Sequence, residues 1–76
     1  MSIEVLFPKI GFSMSEGTLG NWMVADGESV REGQPIYTLE SEKSVEEIEA
    51  PASGRLRILG QPGTIYQVGD KVAIID

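Results

Sequence analysis

Short apolar runs recur along the chain, each broken within a few residues by Pro, Gly, Asp or Ser, and no long window keeps helical apolar spacing. Ile3 to Phe7 reads as a strand stopped by Pro8, and Lys9 to Gly17 as a loop bounded by Gly11 and Gly17, with Phe12 and Met14 as anchors. Thr18 to Val24 is a second strand, closed by an Asp26-Gly27 turn. A short segment around Val30 ends at Glu32-Gly33. The strand Pro35 to Leu39 and its return, Val45 to Ile48, flank a polar stretch, Ser41 to Ser44, where the chain turns back. Pro51 to Gly54 turns again, Arg55 to Leu59 is a strand, Gln61-Pro62-Gly63 is a turn, and Val68-Gly69-Asp70 leads into a last strand, Lys71 to Ile75. The pattern predicts an all-β chain.

The pattern also repeats. A shift of 36 residues places Gly27 on Gly63, Gly33 on Gly69, Ile36 on Val72 and Leu39 on Ile75; a shift of 37 places Gly17 on Gly54 and Leu19 on Leu56. The slip is a one-residue deletion as Thr18–Asp26 shortens to Arg55–Pro62. Glycines that match in this way mark backbone positions needing positive φ or close approach. A solenoid needs three or more units, and only two are present. The chain therefore reads as one domain, residues 1–76, with halves of roughly 1–39 and 40–76. The expected fold is a flattened β-barrel or sandwich of two four-stranded halves about a pseudo-twofold axis. Such an axis sends equivalent ends to opposite poles, with the Ser41–Ser44 turn at one and the chain termini at the other.

Composition narrows the chemistry. A domain of 76 residues has one small core and buries about 60% of its unfolded surface. It has no cysteine and no histidine, which removes disulfides, thiolate metal sites and the commonest general base. Twelve acidic residues face six basic ones for a net charge of −6, the wrong sign for a nucleic-acid partner. No apolar run approaches membrane-helix length, and Met1-Ser2-Ile3-Glu4 lacks the form of a signal peptide. The expected compartment is the cytoplasm, or the mitochondrial matrix in a eukaryote.

The chemistry-bearing residue is Lys43, in Glu40-Ser41-Glu42-Lys43-Ser44-Val45-Glu46-Glu47-Ile48-Glu49-Ala50, the only lysine among five carboxylates. On composition alone it is a solvated lysine that keeps an acidic turn soluble; facing outward at the pole opposite the termini, it suits a carrier. Glu42 and Ser44 flank it, and both are ordinary turn residues. Glu40, Glu46, Glu47 and Glu49 keep the hairpin hydrated and present negative charge to partners. Gly33 and Gly54 are backbone-shape positions, and Phe7, Trp22 and Tyr66 belong to the core or its edge.

Taken together, these residues resemble the lipoyl domains of 2-oxo acid and acetoin dehydrogenase complexes along essentially the whole chain. The matching motif residues are Pro8, Gly11, Met14, Glu16-Gly17, Trp22, Gly27, Val30, Gly33, Glu40-Ser41-Glu42-Lys43-Ser44, and Ala50-Pro51 with Gly54. The tip departs from the family's Glu-Thr-Asp-Lys-Ala at Ser41, Glu42 and Ser44, keeping an acid before the lysine and a small residue after it. The resemblance implies lipoic acid in amide linkage on Lys43, attached by a lipoate ligase or lipoyl transferase. It implies a swinging arm, acylated by a thiamine-diphosphate-dependent decarboxylase, delivering to an acyltransferase core and reoxidised by dihydrolipoyl dehydrogenase. The domain itself would be a monomeric carrier with no catalytic residues and no metal.

Other readings stay open at this point. Biotin carriers share the fold but resemble Met-Lys-Met at the site, and both methionines are absent here. A glycine-cleavage carrier is longer and carries extra helices. An unmodified β adaptor of the same architecture is the reading from another class. A cation site lacks the spacing and glycine of an EF-hand loop, and no nucleophile–base pair can be assembled for an independent enzyme.

Overall fold

The computed structural model describes residues 2–9, 15–42 and 44–76. Eight strands follow in order: β1 (Ile3–Leu6), β2 (Glu16–Trp22), β3 (Ser29–Val30), β4 (Pro35–Glu40), β5 (Val45–Glu49), β6 (Gly54–Ile58), β7 (Ile65–Gln67) and β8 (Lys71–Ile75). They form two four-stranded sheets, β1-β8-β6-β3 and β5-β4-β2-β7, antiparallel throughout. The sheets face each other and do not close into a barrel.

Advancing every strand of the first sheet by four positions in the chain produces the order of the second. Hydrogen bonds repeat with the same shift. Gly27 N–H donates to Leu56 O at 2.7 Å and Gly63 N–H to Leu19 O at 2.7 Å; Gly33 N–H donates to Ala50 O and Gly69 N–H to Phe7 O, both at 2.9 Å. These four glycines have φ of +86°, +80°, +87° and +97°, a region that L side chains adopt only under strain. Each sheet takes two strands from either half of the chain, so the halves interleave and do not pack as separate units. That arrangement buries both apolar faces at once, which two independent four-stranded units could not do.

Three expectations change on contact with the structure. Gly17, paired with Gly54 by the repeat, is a strand residue opposite Tyr66 and is not among the glycines with positive φ; Gly54 has φ +155°. Ile65–Gln67 forms an edge strand although its run is too short to stand out in the sequence. It is held through β2 by the pairs Glu16–Gln67, Gly17–Tyr66 and Thr18–Ile65. The second strand starts at Glu16, inside the expected loop, and ends at Trp22. The anchors expected at Phe12 and Met14, with Gly11, lie outside the described residues.

The one-residue slip has a structural cause. On β2 the partners Leu19–Leu39 and Trp22–Tyr37 leave two residues, Gly20 and Asn21, against one, a β-bulge; β6 pairs with β8 in unbroken register. Asn21 N–H is satisfied by Thr38 Oγ1 at 2.9 Å. A Cβ at position 20 would run into Thr38 Oγ1 and the Glu40 carboxylate, so the bulge requires glycine there.

The core consists of Val5, Phe7, Leu19, Val30, Ile36, Tyr37, Leu39, Ala50, Leu56, Val72, Ala73 and Ile75, with Trp22, Val24, Ile48, Ile58 and Tyr66 packed against it. The aromatic rings gather in one place: Tyr37 lies 6.4 Å from Phe7 and 5.0 Å from Trp22, and Phe7 lies 6.0 Å from Tyr66. Trp22 Nε1 donates to Gly60 O at 3.0 Å, and Tyr66 Oη accepts from Gln61 N–H at 2.8 Å. Burial pushes the Tyr37 phenol well above its ordinary pKa, and its Oη has no hydrogen-bond partner among the described residues.

Candidate functional site: the β4–β5 hairpin

β4 and β5 pair from Pro35–Glu49 to Glu40–Val45, and the chain reverses over Ser41–Ser44. The turn is tied at its base. Ser41 N–H donates to Ser44 O at 2.8 Å, and Ser44 N–H donates to Ser41 Oγ at 3.3 Å. Ser41 Oγ also lies 3.2 Å from Ser44 O and 3.3 Å from Ser44 Oγ. The Ser41 hydroxyl thus meets both the N–H and the carbonyl of Ser44, the ordinary use of serine at turns, and the Ser44 hydroxyl lies against it. Glu42 and Ser44, expected as neighbours of the attachment residue, are exposed. Lys43 lies outside the described residues; the structure describes the frame on either side of it.

The far end of the same ladder leads to the chain termini. Ala50, next after β5, exchanges hydrogen bonds with Gly33 and Gln34, each at 2.9 Å. From there Val30 pairs with Gly54, and a Cβ on Gly54 would strike the Asp76 carbonyl. Ile3 pairs with Ile75, so the first and last strands end side by side. The hairpin and the termini therefore sit at opposite poles of a body 32 Å long and 20 × 19 Å across.

The charged residues are divided between the sheets. β2, β4, β5 and β7 carry Glu16, Glu40, Glu46, Glu47 and Glu49, all exposed, and no lysine or arginine. β1, β3, β6 and β8 carry Arg55, Arg57 and Lys71 against Glu4 alone. Two of those cations are paired, Lys71 Nζ with Glu4 at 2.9 Å and Arg57 with Asp76 at 3.7 Å. Among the described residues no three His, Cys, Asp or Glu side chains converge on a metal-sized site. This division was not legible from the sequence, because it depends on which strands become neighbours.

Two β halves interleaved about a twofold axis, with a tied two-residue reversal at one pole, define a hairpin-presenting carrier fold. The chain belongs to the family whose model is described as "Biotin-requiring enzyme", matched over residues 3–75. It is 42% identical over 72 residues to the dihydrolipoyllysine-residue acetyltransferase component of the acetoin cleaving system of Cupriavidus necator; the match covers 95% of this chain and 18% of that protein. Against the acetyltransferase component of the pyruvate dehydrogenase complex of Staphylococcus aureus it is 34% identical over 77 residues, covering 100% of this chain and 18% of the relative. The chain thus spans under a fifth of the length of these curated relatives.

Among solved structures it superposes on the lipoyl domain of the 2-oxoglutarate dehydrogenase complex from Azotobacter vinelandii with TM-score 0.78 and 27% identity, over 97% of this chain and 95% of that one. The same fold occurs within a single-chain, multi-domain long-chain acyl-CoA carboxylase, at TM-score 0.76 and 20% identity, over 96% of this chain and 7% of that one. The chain thus has the fold of a lipoyl domain, a carrier module.

Proposed function

We propose that Lys43 carries lipoic acid in amide linkage and that the domain shuttles acyl groups and reducing equivalents within a dehydrogenase complex. The single observation that carries this reading is the tied Ser41–Ser44 reversal. It closes the β4–β5 arm on either side of the lysine's place in the chain, opposite the termini through which a tether would act. A group that must enter several active sites needs its anchor fixed and its length free, and a turn closed by backbone and hydroxyl hydrogen bonds supplies the anchor. Glu42 and Ser44 would be the first protein groups met by a ligase or a decarboxylase.

The relatives named above are acetyltransferase components, which supports an acyltransferase complex as the setting. The partners are then a lipoate ligase or lipoyl transferase, a thiamine-diphosphate decarboxylase, the acyltransferase core and dihydrolipoyl dehydrogenase, in the cytoplasm of a bacterium. Because the family also includes biotin carriers, the test uses both ligases. Intact mass after incubation with lipoate ligase should show one lipoyl addition, lost in Lys43→Ala. Addition by biotin ligase, with none by lipoate ligase, would replace lipoate with biotin. No addition by either would leave the adaptor reading.

A further inference from the structure

The twofold axis provides an internal control for surface residues of the described strands, because outside the β2 bulge a strand position has a mate in an equivalent backbone environment. Among the described residues seven large apolar side chains are exposed: Ile3, Leu6, Met23, Val45, Leu59, Ile65 and Val68. Met23 and Leu59 are each other's mates, both donating N–H to equivalent carbonyls, Ile36 O and Val72 O. Of the remaining five, only Ile3 lies at the terminal pole. Leu6, Val45, Ile65 and Val68 lie towards the hairpin pole.

Their mates are all polar. Val45 pairs with Glu40 at the end of its ladder and its mate is Ser2, next before the Ile3–Ile75 pair; Ile65 pairs with Thr18 as Ser29 pairs with Arg55. Leu6 opposes Lys71 as Glu49 opposes Pro35, and the mate of Val68 is Glu32. One backbone, used twice, is thus apolar at four surface positions near the hairpin and hydrophilic at the same four near the termini. Fold stability does not require them, since the mates occupy the same places with Ser or Glu.

Val45 and Ile65 are the most exposed of the set, at 62% and 61%. They end one continuous rung, Val45–Glu40–Thr18–Ile65, which crosses the acidic sheet next to the turn. Directly opposed residues share a face, and three strand spacings make that rung about 14 Å wide. On the same face lie Glu16 and Glu47, with no cation on the strands of this sheet.

We propose that this rung is a docking face for the acyl-loading decarboxylase, through an apolar contact on that enzyme rimmed by lysine or arginine. The proposal rests on the lipoyl-carrier reading and adds a second contact beside the arm itself. Charge complementarity selects a basic rim, and the narrow width fits a transient encounter that a carrier must leave on every turnover. The apolar pair supplies affinity; the carboxylates guide approach, so binding weakens with salt.

The test is a titration of the 15N-labelled, unmodified chain with the thiamine-diphosphate decarboxylase of its parent complex, followed by amide NMR. Broadening is expected at Val45, Ile65 and Val68. Val45→Ser with Ile65→Ser, the residues of the mates, should raise Kd at least tenfold while leaving the melting temperature unchanged. Leu59→Ser, an exposed apolar change away from the rung, should leave Kd within twofold. Broadening confined to Ser29, Glu32 and Arg55, no detectable binding, or equal losses in the rung and Leu59 variants would each overturn the proposal. Lipoylation is scored separately by intact mass, so a chain that gains lipoate yet shows no rung contact fails the docking proposal alone. A chain that gains none fails the carrier reading.

Discussion

The two poles of this domain share a backbone plan and differ in almost everything placed on it. At one, β4 runs into β5 through a reversal tied by Ser41 and Ser44. At the other, the equivalent strands β8 and β1 stop side by side with no covalent link between them. The contrast continues into the core. Phe7, Trp22, Tyr37 and Tyr66 correspond by symmetry to Ala50, Ile58, Ala73 and Val30, so each of these four rings has a smaller aliphatic mate. The aliphatic mates Leu19–Leu56, Ile36–Val72 and Leu39–Ile75 are matched in size, so the difference in volume is confined to the ring cluster. Symmetry of the backbone is therefore compatible with one specialised end, because volume, charge and exposed apolar area can all be assigned asymmetrically to equivalent positions.

The largest effect should come from the tip itself. Lys43→Ala or Lys43→Arg should abolish lipoyl addition in an intact-mass assay and leave the thermal melt unchanged, whereas a substitution of Lys71, at the other sheet, should leave addition intact. Next is the core comparison. Phe7→Ala should cost about 3–5 kcal/mol in urea unfolding, and the mate change Ala50→Gly only about 1 kcal/mol. Equal losses would mean that the aromatic cluster carries no special share of the stability.

Glycines distinguish close approach from conformational freedom. Gly54→Ala, which meets the Asp76 carbonyl and Ile75, should cost about 2–4 kcal/mol; Gly27→Ala, with open space at its Cβ, should cost about 1 kcal/mol from its φ alone. The bulge that separates the two halves gives a smaller, coupled effect. Gly20→Ala should destabilise, and Thr38→Ala should relieve part of that loss by removing the hydroxyl in the way. The double-mutant cycle should show about 0.5–2 kcal/mol of coupling. Additive losses would show that Thr38 does not confine position 20.

The smallest effect at neutral pH is expected for Tyr37→Phe, within about 1 kcal/mol of the parent, because the hydroxyl lost has no partner among the described residues. Its signature is in alkali. Burial raises the folded-state pKa of Tyr37, so the folded chain holds its proton where the unfolded chain releases it. Stability from this group is complete below about pH 10, the unfolded value, and falls as pH rises above it. Tyr37→Phe should remove that alkaline decline; an unchanged decline would assign it elsewhere.

Much of the architecture was legible from punctuation. The glycine matches at Gly27–Gly63 and Gly33–Gly69 are visible because positive φ constrains residue type, and the one-residue slip over Thr18–Asp26 contains the β2 bulge, whose pairing the sequence does not show. The Ser41–Ser44 reversal was legible because no apolar residue interrupts it. β7 was not, since three residues on an edge leave too short a signal. Nor was Tyr37, the largest fully buried side chain, apparent as the centre of the ring cluster. Its neighbours Phe7 and Trp22 are remote in the chain and meet it only through packing.

By itself the sequence determined a two-unit all-β chain with one amine at an acidic turn, because backbone conformation and apolar alternation are local demands written residue by residue. Only the tertiary structure decided that the units interleave, that all strand carboxylates but one fall on a single sheet, and that Val45 and Ile65 share a rung. Those are properties of strand adjacency, and adjacency is fixed by burying two apolar faces together rather than by any stretch of the chain alone.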